Sequence, residues 1–170
     1  MGGFYYLYFP MLRQGSLEDA PQMAEIFNHY IRESTVIFSN RERNAADMKQ
    51  LLEPVVGKYP FYIYEEDGKV LGYCFAHAFM PDPVYRFTWE ITIYLRDGYT
   101  GHGIGSALLR AVVEDARRDG THTLVSFITG GNELCINLHA KYGFRKAGTI
   151  RQSGYKFDTY LDDVIYQLIL

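Results

Sequence analysis

The sequence has no excess of positive charge, few cysteines and no long hydrophobic run. It has 17 Lys and Arg residues and 20 Asp and Glu residues, which give a formal net charge of −3. The chain therefore lacks the overall positive charge typical of a nucleic-acid-binding protein, although its composition still allows a local basic patch. Cys74 and Cys135 form no C-x-x-C pair and no metal-ligand spacing, which predicts reduced thiols in a cytoplasmic protein. No segment approaches the roughly 20 apolar residues of a membrane span. We therefore expect no metal, no nucleic acid and no membrane as partners.

What the chain does contain is the composition of one globular domain. It has 170 residues, of which 48% are hydrophobic and 22% charged, enough to bury a single core. Residues 1–10 are apolar but lack the basic segment and the small-residue cleavage site of a signal peptide, and Met11 begins a more natural first strand. We expect an extension or tag-like segment over 1–10 and a single domain over 11–170.

Hydrophobic periodicity and turn signals predict the element order β-α-α-β-β-β-α-β-α-β-β. Ser16-x-x-Asp19 resembles a capping box at the start of the first helix, and Asp67-Gly68 between two β-rich runs indicates a hairpin. The segments predicted as the last three strands are 121–128, 144–150 and 164–168. This order predicts a mixed α/β domain with one central sheet.

The most specific motif is the glycine-rich turn Thr100-Gly-His-Gly-Ile-Gly-Ser106, between a predicted strand and a predicted helix. Glycines let the backbone approach a ligand closely, and free N–H groups at a helix start favour phosphate. A P-loop needs Gly-Lys followed by Ser or Thr, so the usual nucleoside triphosphatase is excluded. A dinucleotide site needs G-x-G-x-x-G and a later acidic residue, so this alternative is disfavoured. A turn without a ligand and a cradle for another phosphate-bearing ligand remain.

This turn resembles the signature of the GNAT superfamily of N-acetyltransferases, Gln/Arg-x-x-Gly-x-Gly/Ala. Thr100-x-x-Gly103-x-Gly105 departs from it only at Thr100, which removes a side-chain donor and no backbone N–H. The element order is similar over residues 12–168. Within the superfamily the chain is similar to the phosphinothricin acetyltransferase group. The similar runs are Glu33-Ser-Thr-Val-Ile-Phe38, Tyr85-Arg-Phe-Thr-Trp-Glu90, Gly131-Asn132 and Leu138-His-Ala-Lys-Tyr-Gly-Phe144.

The resemblance implies a GNAT-type acyl-CoA N-acyltransferase fold with acetyl-CoA as co-substrate. In that superfamily the fourth strand diverges from its neighbour, and its free backbone meets the acyl group and the pantetheine. The residues that the resemblance assigns to coenzyme binding are Ile93, Tyr94, Leu95, Thr100, Gly101, His102, Gly103, Ile104, Gly105, Ser106, Asn132 and Lys141. For Lys141, a solvated surface lysine is the alternative.

Two side chains are candidates for proton transfer. An amine is mostly protonated at pH 7, so its acetylation needs a base. Glu90 lies in an otherwise apolar strand, where a buried carboxylate needs a partner or a task, although strand alternation would equally allow it to face solvent. The resemblance matches Glu90 to the proposed general base. It also matches His139 to the group that protonates the leaving thiolate, with a structural histidine as the alternative.

The acceptor is expected opposite the coenzyme, beside the loop that precedes the fourth strand. The candidate contacts are Phe38, Asp82, Tyr85, Arg86 and Thr92. Met80 and Asp82 stand where the phosphinothricin pattern commonly has basic residues, and an aspartate there favours a cation over a second anion. We expect the primary amine of a small molecule, such as an amino acid analogue of the phosphinothricin or methionine sulfoximine type, or a polyamine-like compound.

Two other functions stay open. A protein or peptide N-acetyltransferase would need an open acceptor groove, and a non-catalytic coenzyme A-binding sensor would bind the coenzyme without turnover. The resemblance also implies a homodimer paired through the C-terminal part of the chain, with which the apolar end Ile165–Leu170 is compatible.

Overall fold

The computed structural model describes residues 11–170, so the extension expected over 1–10 lies outside the described residues. Within this range seven strands and four helices follow one another in the predicted order. The strands are β1 (Met11–Gln14), β2 (Phe61–Glu66), β3 (Lys69–Ala78), β4 (Thr88–Leu95), β5 (Thr123–Thr129), β6 (Arg145–Lys156) and β7 (Thr159–Ile169); the helices are α1 (Ala20–Glu33), α2 (Ala45–Leu52), α3 (Ile104–Asp119) and α4 (Glu133–Lys141). No helix in this range is long and apolar enough to cross a membrane.

The described strands form one sheet in the order β1-β2-β3-β4-β5-β7-β6. Every neighbouring pair is antiparallel except β4 and β5, which are parallel because α3 carries the chain back across the sheet between them. The expected mixed α/β fold with one central sheet is confirmed.

The sheet separates two hydrophobic clusters. One joins α1 and α2 to the sheet through residues such as Met23 and Tyr73, and the other joins α3 to the opposite face, where Trp89 and Ile91 of β4 are buried. Tyr94 packs on the α1 side. Because successive strand side chains point to opposite faces, Glu90 and Thr92 share the face of Tyr94 and lie toward α1.

Two local structures that the sequence predicts, a capping box and a hairpin turn, are present. The Oδ2 atom of Asp19 accepts the backbone N–H of Ser16 at 2.8 Å, and the Ser16 hydroxyl accepts the N–H of Glu18 at 3.2 Å, completing a capping box on the 3-10 turn that leads into α1. Asp67 and Gly68 have φ values of +50° and +77° in the turn between β2 and β3, as a two-residue hairpin requires.

The last two strands are longer than predicted. β6 and β7 extend well beyond 144–150 and 164–168 and are joined by a two-residue turn at Phe157 and Asp158, with φ values of +49° and +56°. Phe-Asp lacks the glycine that usually marks such a turn. The β6–β7 register also shifts at two places, which interrupts the alternation that would have revealed a long strand.

Candidate active site

β4 and β5 separate part-way along their length. Their pairing ends where Glu90 lies opposite Val125. Beyond that point β4 stays paired with β3 as far as Leu95, and β5 stays paired with β7 as far as Thr129. The β4 backbone after Glu90 therefore presents peptide groups to a gap in which β5 no longer pairs with them. The predicted contacts Ile93, Tyr94 and Leu95 all lie on this stretch.

The glycine-rich turn lies between the end of this stretch and the start of α3. Gly101 and Gly103 have φ values of +81° and +79°, and a Cβ atom at either position would meet no heavy atom within 4 Å. Gly103 is the N-cap of α3 and makes no side-chain cap, so the N–H groups of the first turn, which begins at Ile104, point outward. An open, uncapped helix start of this kind favours a phosphate group.

Gly105 has a different role from its neighbours. A Cβ atom there would approach the Cδ2 atom of Leu138 to 3.0 Å, so this glycine allows α3 and α4 to pack closely. Thr100 and His102 are exposed in the turn.

The end of α4 reaches the start of α3. Lys141 donates from Nζ to the Ser106 hydroxyl at 3.3 Å, and the Tyr142 hydroxyl donates to the Ser106 carbonyl oxygen at 2.9 Å. An exposed ammonium group thus lies beside the uncapped helix start. At the other end of α4, Asn132 is the N-cap, and its Oδ1 atom accepts the N–H of Cys135 at 3.3 Å.

A small cavity of about 100 Å³ lies between the glycine-rich turn and the gap between the strands. Thr100 and Leu138 line it, as do Val36 and Cys135. Val36 and Cys135 also line the adjoining cavity of about 200 Å³ in the gap, together with Glu90 and His139. The two cavities therefore adjoin, and together they lie between the turn and Glu90.

Glu90 lies at the point where the strands part, with its side chain 26% exposed. Its Oε1 atom is 3.8 Å from Nε2 of His77, the residue opposite it on β3. Burial raises the pKa of Glu90 above the ordinary glutamate value; the charge of His77 opposes this shift, and the carboxylate of Asp163 adds to it. Asp163 lines the same cavity, and burial raises its pKa as well. Glu90 is thus a carboxylate with increased basicity in a partly dry cavity.

His139 is 1% exposed, and both of its ring nitrogens have partners. Nδ1 lies 2.8 Å from the carbonyl oxygen of Cys135, and Nε2 lies 2.9 Å from the Ser126 hydroxyl. Because a carbonyl oxygen only accepts, the proton belongs on Nδ1, and Nε2 accepts from Ser126. Burial lowers the pKa of His139 and favours the neutral ring. Ser126 was missed in the sequence, where an isolated serine in an apolar strand carries no signal.

A second cavity of about 490 Å³ lies between the sheet and the helices α1 and α2. Phe38, Thr92 and Tyr94 line both this cavity and the one at Glu90, so the two adjoin. Phe38 and Thr92 were predicted acceptor contacts. Arg43 also lines this cavity and was missed, because a charged residue between two helices resembles any solvated residue.

Asp82, Tyr85 and Arg86 line neither cavity. The Asp82 carboxylate accepts the N–H of Val84 at 2.9 Å, and the Arg86 guanidinium lies over the Phe87 ring. Tyr85 packs edge-on against Phe79, which in turn stacks on Phe127 at the cavity wall. The structure therefore places this loop beside the rim of the cavity at Glu90.

A seven-stranded mixed sheet that opens beside a glycine-rich, uncapped helix start, with a carboxylate at the opening, is the arrangement of an acyl-transferring enzyme. The family model described as Acetyltransferase (GNAT) family matches residues 23–144. The chain belongs to the GNAT family of N-acetyltransferases.

Similar proteins agree with this assignment. The chain is 32% identical over 161 residues to an L-methionine sulfoximine/L-methionine sulfone acetyltransferase of Pseudomonas aeruginosa, covering 94% of both chains. Its structure is similar to that of a phosphinothricin acetyltransferase from Sinorhizobium meliloti in complex with AcCoA, with a TM-score of 0.90, 29% identity and coverage of 95% and 88%. It is also similar to a ribosomal-protein-alanine N-acetyltransferase from Brucella melitensis, with a TM-score of 0.88, 31% identity and coverage of 94% and 99%.

The residues present fit acetyl-CoA. The open positions beside Gly101 and Gly103 and the uncapped start of α3 suit a pyrophosphate, with the ammonium group of Lys141 close by. The small cavity lined by Ile93, Tyr94 and Leu95 suits the pantetheine arm, and it adjoins the cavity that holds Glu90.

Proposed function

We propose that this enzyme acetylates the primary amine of a small molecule of the amino acid analogue type, with acetyl-CoA as donor. The names of the similar proteins from Pseudomonas aeruginosa and Sinorhizobium meliloti support this acceptor class. Two adjoining cavities of about 200 and 490 Å³ also suit a small acceptor. We propose that Phe38 and Thr92 contact it, and that the loop of Asp82, Tyr85 and Arg86 forms the rim.

The observation that carries the proposal is the position of Glu90 at the opening between β4 and β5. Acetyl-CoA supplies an activated thioester when bound. Glu90 takes the proton that the amine must lose, directly or through a water molecule. The N–H groups of Ile93 and Leu95 face the gap, because the N–H groups of Tyr94 and Arg96 point to β3. They stabilise the charge that develops on the acyl oxygen, and one such donor contributes roughly 3 kcal/mol.

His139 acts on the cavity through Ser126 in this proposal. The neutral imidazole accepts the Ser126 proton and thereby orients the serine lone pairs. Those lone pairs can accept a hydrogen bond from the amine. The sulfur of coenzyme A leaves as a thiolate and takes its proton from solvent, because neither Ser126 nor His139 has a proton free to give. His139 is then a positioning residue, and its Nδ1–H holds the ring in place on the Cys135 carbonyl oxygen.

The test is release of free coenzyme A thiol from acetyl-CoA with a panel of amines. The panel contains L-methionine sulfone, phosphinothricin, spermidine and a peptide with an N-terminal alanine. We expect turnover of one or both amino acid analogues and none of the peptide. Turnover of the peptide alone would favour a peptide N-acetyltransferase, which the similarity to the Brucella melitensis structure supports. Coenzyme binding without turnover of any amine would favour a sensor.

A further inference from the structure

Arg43 has an unusual position for a charged residue. It lies near the end of the loop between α1 and α2, and Asn28 binds both polar groups of its backbone. The Arg43 N–H donates to Oδ1 of Asn28 at 2.8 Å, and Nδ2 of Asn28 donates to the Arg43 carbonyl oxygen at 2.8 Å. The guanidinium carbon lies 4.5 Å from the centre of the Phe27 ring. The hydrogen bonds to Asn28 and the stacking on Phe27 fix the orientation of the Arg43 side chain, which lines the larger cavity.

The guanidinium group makes no hydrogen bond and no ion pair with any residue in the range 11–170. Five other arginines of this range have carboxylate partners: Arg13, Arg32, Arg41, Arg96 and Arg118. The remaining five have none, but all of them are exposed to solvent, whereas Arg43 is half-buried. A guanidinium group has five N–H donors, and in half-buried Arg43 none of them has an acceptor within this range. The cavity at Arg43 therefore contains unused hydrogen-bond donors.

The two cavities have opposite charge. Glu90 and Asp163 line the smaller one, and Arg43 is the arginine that lines the larger one. They meet at Phe38, Thr92 and Tyr94, and His77 of the larger cavity lies against Glu90. Burial raises the pKa values of the Tyr73 and Tyr94 hydroxyls, and the charge of Arg43 opposes both shifts. The guanidinium is therefore close enough to interact electrostatically with Tyr94, where the two cavities meet.

We propose that Arg43 binds an anionic group of the acceptor, a carboxylate or phosphinate, while the amine of the same molecule lies at Glu90. A guanidinium fork matches the two oxygens of such a group, and the opposite charges of the two cavities match a zwitterion. This inference rests on the proposed function, because it adds a binding site for the acceptor of that reaction. It makes Arg43 a determinant of specificity, with no part in proton transfer.

The test compares acceptors that differ only in their anionic group. L-Methionine sulfone carries an α-carboxylate, phosphinothricin carries an α-carboxylate and a distal phosphinate, and 3-(methylsulfonyl)propylamine carries neither. Arg43→Met keeps an unbranched side chain over Phe27 and removes the charge. Arg43→Lys keeps the charge without the fork. Arg41→Met is the matched control, because the Arg41 side chain is 84% exposed and pairs with Asp47 outside the cavities.

We expect Arg43→Met to raise KM for the anionic acceptors about 10- to 100-fold, the range for a hydrogen bond to a charged group, with little change in kcat. KM for the propylamine should not change, and Arg43→Lys should recover part of the loss. An effect on phosphinothricin alone assigns Arg43 to the distal group, and an effect on both anionic acceptors assigns it to the α-carboxylate. Equal effects on all three acceptors, or none, would overturn the inference, and a thermal unfolding scan identifies a misfolded variant.

Calorimetry on the coenzyme A-saturated protein separates this inference from the proposed function. Suppose that the wild type binds L-methionine sulfone or phosphinothricin and Arg43→Met does not. This result would support the anion-binding site at Arg43 even if no acceptor is turned over, and it would then refute only the proposed reaction. Suppose instead that the wild type acetylates the propylamine as readily as the anionic acceptors and binds the anionic acceptors no more tightly. This result would support the proposed reaction and refute the anion-binding site at Arg43.

Discussion

At the scale of the residue, a carboxylate that deprotonates an amine must lie beside it and be more basic than a surface glutamate. Glu90 meets both conditions, because it faces the cavity between β4 and β5 and burial raises its pKa. Glu90→Gln keeps the shape and removes the basicity. We expect kcat to fall roughly 10²- to 10⁴-fold with partial recovery at higher pH, where free amine is more abundant.

Affinity for acetyl-CoA should not change in this variant, since we propose that backbone groups and Lys141 hold the coenzyme; calorimetry measures this. Glu66→Gln, at an exposed position on β2, is the control. If Glu90→Gln acetylates an identified amine at the wild-type rate at pH 7, the base is another group.

The charges of Asp163 and His77, which both lie near Glu90, should shift the pH profile of the reaction in opposite directions. Glu90 works only when ionised, so activity is lost as the pH falls through its raised pKa, and the acidic limb of kcat/KM should lie above the ordinary value of about 4.3. The Asp163 charge raises this pKa, so Asp163→Asn should move the limb to lower pH. The His77 charge lowers it, so His77→Gln should move the limb to higher pH. Shifts in the same direction for both variants would contradict this account.

At the scale of the element, the start of α3 is a ligand site only while its backbone stays open. Gly103→Val would place a branched side chain where the structure has open space, and at a φ of +79°. We expect the Kd for acetyl-CoA to rise about tenfold or more. Gly68→Val is the matched control, because Gly68 has a φ of +77° and equally open surroundings in the β2–β3 turn.

Both variants carry the same backbone strain, so they should lose similar thermal stability and differ only in coenzyme binding. Equal affinity in the two folded variants would show that the turn does not hold the coenzyme. Gly105 is unsuited to this comparison, since its substitution would disturb the contact with Leu138.

At the scale of the whole molecule, the β6–β7 hairpin exposes large apolar side chains that a monomer would leave in water. Ile150, Tyr155, Phe157 and Tyr160 are between 49% and 63% exposed. We predict a homodimer in which this part of the chain is covered, so light scattering at micromolar concentration should give twice the chain mass of 19.6 kDa. Phe157→Glu combined with Tyr160→Glu should shift the mass toward the monomer. A monomeric wild type would refute the prediction.

The elements and their order are predictable from the sequence, because the patterns that specify them are local. The capping box at Ser16, the turn at Asp67-Gly68 and the glycines before α3 each act within a few residues, and alternation along β4 limits Glu90 to one of two faces. The same short-range patterns carried the resemblance to the family, which the family model then confirmed.

What these elements enclose depends on their packing and could not be read from local patterns. The end of β4–β5 pairing at Glu90, the attachment of His139 to Ser126 and the position of Arg43 over Phe27 depend on residues from different elements. The length of the β6–β7 hairpin likewise depended on pairing across bulges that break the sequence pattern. A contact between distant residues leaves no periodicity in the chain, so the shape and charge of the two cavities exist only once the sheet and helices have packed.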